Sequence, residues 1–182
     1  MKKAIIIVIA AIMLLGMAAC GGHGAQAMLE GSWYDEMGML KMVFSEKCTI
    51  YCYAESSVDP KTKEYAYEYS EGILLLTDEA DDTTEFEVTL NDDGKSIDSI
   101  RYNLEETQIC FSDKETGPKE LAVYQLQLSL LATRLSLVEF ETDAFLRAAE
   151  TTALENDIGT LENTIIAYIL MINDLNIEVD LS

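Results

Sequence analysis

The side chains that could do chemistry in this chain are few in kind. There is one histidine, His23, in 182 residues, so a serine–histidine or cysteine–histidine pair and a histidine-based zinc site are not expected. Cys48, Cys52 and Cys110 lack the Cys-x-x-Cys spacing of a zinc site or a thioredoxin-like motif. Carboxylates are abundant, 33 acidic against 12 basic residues, but a glycosidase needs two of them at a defined separation in a cleft, and abundance alone does not provide that. The densest cluster, Asp78, Glu79, Asp81 and Asp82, could take a hard cation such as calcium. It lacks an EF-hand loop pattern, so a solvated turn is the favoured reading. We therefore expect a protein without cofactor or metal, and not an enzyme.

What remains is aromatic. Tyr65, Tyr67 and Tyr69 share one face of a strand whose other face carries Glu64, Ala66 and Glu68. A turn at Asp59-Pro60-Lys61-Thr62 with an even-sum register sets Tyr53 and Tyr51 opposite this row, as a cross-strand ladder. Together with Trp33 these residues form the candidate ligand face, because phenol rings stack on a carbohydrate or small ligand and their hydroxyls hydrogen-bond. The plainer reading is a structural core. If Tyr51 and Tyr53 face inward, Cys48, Ile50 and Cys52 face outward with Cys110, while Ile109 and Phe111 point in. That apolar outer face then needs a cover.

The elements that must position these residues fall in two regions. From Leu29 to about Lys114 the pattern alternates with a period near two: GSWY, MLKMVF, CTIYCYA, KEYAYEY, GILLLT, TTEFEVTL, SIDSIRYNL and TQICFS are separated by turn-forming segments such as DEMG, SEG, DEADD and NDDGK. Eight short strands in an antiparallel meander result. About six residues per strand, or ~20 Å, predict a packed or shallow interior and a sheet that is incompletely closed. In this order Cys48 and Cys52 lie ~13 Å apart along one strand and Cys110 at least two strands away, beyond the ~7 Å a disulfide spans. All three are expected to be free thiols.

After Gly117-Pro118 the period changes. Leu121, Tyr124, Leu128, Leu131, Leu135 and Val138 make one helical stripe, and Leu154, Ile158, Leu161, Ile165, Tyr168, Ile172 and Leu175 a second. Thr152 and Glu155 have the spacing of a capping box, so two helices broken near Glu150 are expected, with a single long bent helix as the alternative. These helices are the available cover for the outer face, and their heptads would also allow copies to associate.

Gly31 and Trp33, as Gly-x-Trp on the first strand of such a meander, resemble the opening of lipocalin-like domains, including small ones on bacterial lipoproteins. The resemblance implies a barrel with Trp33 plugging one end and a helix after the last strand. The expected fold class is α+β: a small antiparallel meander or partial barrel, lipocalin-like, over residues 29–114, then a C-terminal helical hairpin over 115–182.

The start of the chain supplies an address. Lys2 and Lys3 precede an uncharged run from Ala4 to Met17, roughly 14 residues, too short to span a bilayer and suited to a secretory signal. Leu15, Gly16, Met17, Ala18 and Ala19 then lead to Cys20, which resembles a bacterial lipoprotein signal peptide with its lipobox. That family's chemistry would remove residues 1–19 and acylate Cys20 on its sulfur and new amino terminus; an ordinary signal peptide cut after Ala19 is the alternative. Residues 20–28 would be a lipidated cysteine and a flexible tether. Processing removes two lysines and no acid, so the net charge moves from −21 to about −23, which excludes a nucleic-acid partner and repels anionic headgroups. The sequence thus predicts a lipid-anchored protein on the extracytoplasmic face of a bacterial envelope membrane. It would bind a small ligand or an envelope protein, or else be an assembly protein oligomerising through its C-terminal helices.

Overall fold

A computed structural model describes residues 27–104, 107–141 and 143–180. Cys20, the signal segment and most of the expected tether lie outside the described residues. Eight strands run in chain order: β1 (Gly31–Asp35), β2 (Leu40–Phe44), β3 (Cys48–Cys52), β4 (Lys61–Ser70), β5 (Ile73–Thr77), β6 (Thr83–Leu90), β7 (Ile97–Asn103) and β8 (Gln108–Ser112). Each pairs antiparallel with the next, and Tyr34↔Ser112 and Asp35↔Phe111 join β1 to β8. The barrel is therefore closed rather than partial. Strands of five residues suffice because closure needs only short ladders with a stagger, not long strands.

Alternation explains the core. Trp33, Met42, Phe44, Ile50, Leu74, Leu76, Phe86, Ile100 and Phe111 point inward and are buried, each separated by outward polar or half-exposed neighbours. The indole N–H of Trp33 donates to the carbonyl of Leu29 at 3.0 Å, folding the turn before β1 back against the ring.

Two helices follow, α1 (Leu121–Val138) and α2 (Ala144–Asp174). They pack as a hairpin, and in both helices the expected stripe positions are less exposed than most of their neighbours. The break falls between Val138 and Ala144, not near Glu150. Asp143 is the cap, its carboxylate accepting from the backbone N–H groups of Phe145 and Leu146 at 2.9 and 3.0 Å, whereas the Thr152 hydroxyl donates to the Ala148 carbonyl within the helix. The capping-box spacing at Thr152 was thus matched by an interior threonine bonding back four residues.

The helices do not cover the outside of the sheet as expected. Instead the last turns of α2 seat on one mouth of the barrel, burying Ile165, Tyr168, Met171, Ile172 and Leu175. The reason lies in β3, whose apolar face turns out to be the inward one.

Candidate functional site

The tyrosine face predicted from sequence is divided by the barrel wall. Tyr65, Tyr67 and Tyr69 do share the inward face of β4, with Tyr65 buried and the other two half-buried. Their partners on β3 are not tyrosines: the register is odd-sum, Cys48↔Tyr65 and Ile50↔Lys63. Cys48, Ile50 and Cys52 are buried inside, and Tyr51 and Tyr53 stand on the outer surface. The even-sum register required a tight turn at residues 59–62, but the strands are joined by the eight residues between Cys52 and Lys61, long enough to leave parity unconstrained. Cys110 is half-buried on the outer face between Ile109 and Phe111, as expected, and the three cysteines are free.

The inward set fills the barrel. Met42, Ile50, Leu74 and Ile100 are 0% exposed, so they line no space large enough for water. Tyr67 packs edge-on to Phe44 with centroids 5.2 Å apart and donates to the Ser45 carbonyl. Tyr65 donates to the Leu175 carbonyl at 2.6 Å, and burial pushes its hydroxyl pKa up. Trp33, Tyr67 and Tyr69 therefore pack in or against the core, and Tyr65 is in addition an anchor point for α2. On the outside, the Lys41 ammonium lies 5.2 Å from the Tyr34 ring centre and 5.7 Å from that of Tyr51, a cation–π arrangement across β1, β2 and β3.

Polar chemistry gathers where α2 meets the barrel. Asp35 is fully buried at the end of β1; its carboxylate accepts from Met37 N–H at 3.0 Å, Leu40 N–H at 2.7 Å and the Tyr168 hydroxyl at 2.5 Å. Burial outweighs these donors and holds its pKa above the ordinary 3.8. Tyr124 of α1 donates to the Met37 carbonyl in the same corner. Across the mouth, the Lys63 ammonium bridges Asp78 at 2.8 Å and the carbonyls of Leu175 and Asn176 at 3.2 and 3.0 Å. A cation at the carboxyl end of α2 meets both its unpaired carbonyls and its dipole. Lys63 in turn holds the Asp78 carboxyl below the usual range. Tyr102 donates to the Asp174 carboxylate, and Thr84 to the Asp174 carbonyl.

Asp78 therefore belongs to neither a calcium site nor a freely solvated turn. It also accepts from the N–H groups of Ala80 and Asp82 and from the Asn176 amide, so it ties the acidic loop to the helix end. Among the described residues no group of three or more acids, histidines or cysteines is arranged to hold a metal. A cleft of about 710 Å³ lies beside this junction, with Glu55, Lys61 and Asn173 in its wall.

The hairpin presents the other notable surface. On α1, Val123, Leu126, Leu130 and Leu137 are 41–62% exposed, followed by Phe140 at 80%; Phe145 and Leu146 open α2 at 82% and 52%. This stripe was not singled out in the sequence, although its spacing is heptad-like, because a leucine-rich helix shows several overlapping periods. By length and composition α1 is apolar enough to cross a membrane, yet it packs along α2 and is pinned at its foot by Tyr124.

No protein-family model, no curated protein and no solved structure matches the chain.

Proposed function

We propose that this is a lipid-anchored extracytoplasmic protein whose lipocalin-like barrel is a scaffold, and whose helical hairpin is a protein-binding module. The observation that carries the second half is the contrast between interior and hairpin. Met42, Ile50, Leu74 and Ile100 leave no water-sized space around themselves, while Leu126, Leu130 and Leu137 remain more than half exposed. A lipocalin that carried a small ligand would show the reverse. Contiguous exposed apolar surface of this kind marks interaction sites.

The anchor rests on the residues leading to Cys20 and on where the chain enters the fold. Leu29 and Gly31 lie at one end of β1, and the hairpin attaches at the other, where Lys119 N–H donates to the Gly38 carbonyl and Leu121 N–H to that of Ala54. Five strand residues, ~16 Å, separate tether from hairpin. Anchoring at Cys20 therefore leaves the hairpin unobstructed.

The test is Cys20→Ser in a bacterial host, followed by membrane fractionation and metabolic labelling with a fatty acid. Loss of label, with the protein retained as precursor or released from the membrane, is the expected result. A variant that still takes up label and matures normally overturns the anchor.

A further inference from the structure

We propose that the outer wall of β1, β2 and β3 binds an acidic oligosaccharide, the Lys41 ammonium meeting its carboxylates and Tyr34, Tyr51 and Tyr53 packing on its rings. The ladder sets Tyr34, Lys41 and Tyr51 side by side in one row, Tyr34↔Lys41 and Lys41↔Tyr51. All three point outward and are half-buried, since their neighbours Trp33, Met42, Ile50 and Cys52 are buried inside. The ammonium sits over both ring faces, 5.2 Å from the Tyr34 centre and 5.7 Å from that of Tyr51. Tyr53 joins them just beyond β3: its N–H donates to the Met39 carbonyl at 2.7 Å, which keeps it beside the start of β2. Burial raises its hydroxyl pKa and the Lys41 ammonium opposes the rise, so Tyr53 lies within the electrostatic reach of that lysine.

Two features set this row apart from ordinary surface. The first is that its cation is positioned but has no anionic partner. Ion pairs occupy Lys47, Lys61 and Lys63, whereas among the described residues no carboxylate pairs with Lys41. Two ring faces hold it instead, so a side chain that ordinarily loses much rotamer freedom on meeting an anion is already partly ordered. The second is the distribution of charge on a chain of net charge −21. The outward residues of β1, β2 and β3 are Ser32, Tyr34, Lys41, Val43, Thr49 and Tyr51, without a single acid. Those of β4, β6 and β7 include Glu64, Glu68, Glu85, Glu87 and Asp98. An anion is repelled from those strands and met by a cation on this wall.

The same residues name the ligand. A bare anion would use Lys41 and leave the tyrosines idle, whereas phenol rings pack on sugar faces and their hydroxyls exchange hydrogen bonds with sugar hydroxyls. Tyr34 and Tyr51 stand two strand spacings apart, roughly 10 Å, the reach of a disaccharide. Anionic lipid fits less well, because a broad charged surface also meets the acids of the adjoining β4, while a sugar chain touches this wall alone. The site belongs to the barrel wall and not to its filled interior or the hairpin, so it depends on neither the protein-binding reading nor the anchor.

The test is isothermal titration of the purified full-length chain, in a non-ionic detergent, with short oligogalacturonate and separately with its methyl ester. Saturable binding of the acid is expected, with the ester, which lacks the charges, bound about tenfold more weakly or less. Lys41→Gln should weaken binding by about tenfold, as loss of one charge-assisted contact does, and Lys41→Arg should retain it. The double variant Tyr34→Leu, Tyr51→Leu should also weaken it, with an unchanged far-UV circular dichroism spectrum. Lys95→Gln removes the same charge from the exposed turn between β6 and β7 and should leave the affinity as it was. The emission maximum of Trp33, on the inner side of the wall, should not move. Absence of binding by the parent overturns the proposal. So does equal affinity for the ester, a folded Lys41→Gln variant that binds like the parent, or an equal loss in Lys95→Gln. Binding of poly-glutamate or phosphatidylglycerol vesicles with the same dependence on Lys41 overturns it too, by showing a site for any polyanion or for lipid.

Discussion

Asp35 concentrates the energetic risk of this fold in one carboxylate. Leaving its charge in the interior is tolerable because Met37, Leu40 and Tyr168 all donate to it. The folded state nonetheless binds the proton more tightly than the unfolded chain, whose aspartate titrates near 3.8. The contribution to stability is therefore fully present below about 3.8 and is lost as pH rises through the folded value. The Tyr168 hydroxyl opposes that loss, since a donor favours the ionised form. Tyr168→Phe should destabilise the protein by about 1.5–3 kcal/mol at neutral pH, as removal of a hydrogen bond to a buried charge does. The variant and parent should converge as pH falls toward 4. Urea midpoints at several pH values check this, and a penalty that stays constant with pH would show that Asp35 is not the partner that matters.

Among the elements, the corner between β1 and β2 is the least forgiving. Gly38 adopts φ +75°, and a Cβ there would run into the Gly117 carbonyl. Its own carbonyl accepts from Lys119, so this one glycine lets the linker after β8 cross the end of β1 and start α1. Gly38→Ala should cost at least ~2 kcal/mol, lowering the melting temperature by about 4–8 °C. A shift of under 1 °C would mean that the linker does not cross there. The same scale shows what could be read in advance. All eight strands and both helical stripes were legible, because period two and period 3.6 are set by burial on one side. Which face of β3 points inward was not, since Cys48-Thr49-Ile50-Tyr51-Cys52-Tyr53 is apolar enough on both faces to sit either way round. Nor was the helix break: Asp143 and Thr152 are both acceptable caps in isolation, and tertiary packing chose between them.

At the scale of the whole molecule, the tyrosines fitted two architectures from sequence, the filled core being the favoured one. One was a container lined by phenols; the other a filled barrel that uses a few of them to grip a plug. Composition cannot separate these, because both need the same aromatic content, and the distinction rests on whether the interior has room. Trp33 is the single tryptophan and is buried inside, so its emission reports on that interior. Titration with fatty acids or oligosaccharides should leave the emission maximum unchanged, and a saturable shift would show a cavity that opens to ligand and would remove the scaffold reading.

The seating of α2 on the barrel mouth also governs the order in which the fold can be completed. Tyr168 reaches Asp35 across 133 residues of chain, and Tyr65 reaches Leu175 across 110. Contacts so distant in sequence form late and slow the folding rate. While the chain emerges, the eight strands can be complete with one mouth still open and the Asp35 carboxylate and Tyr65 hydroxyl still facing water. The barrel is thus first made as an uncorked vessel, and its final hydrogen bonds wait for a stopper synthesised more than 50 residues after the last strand.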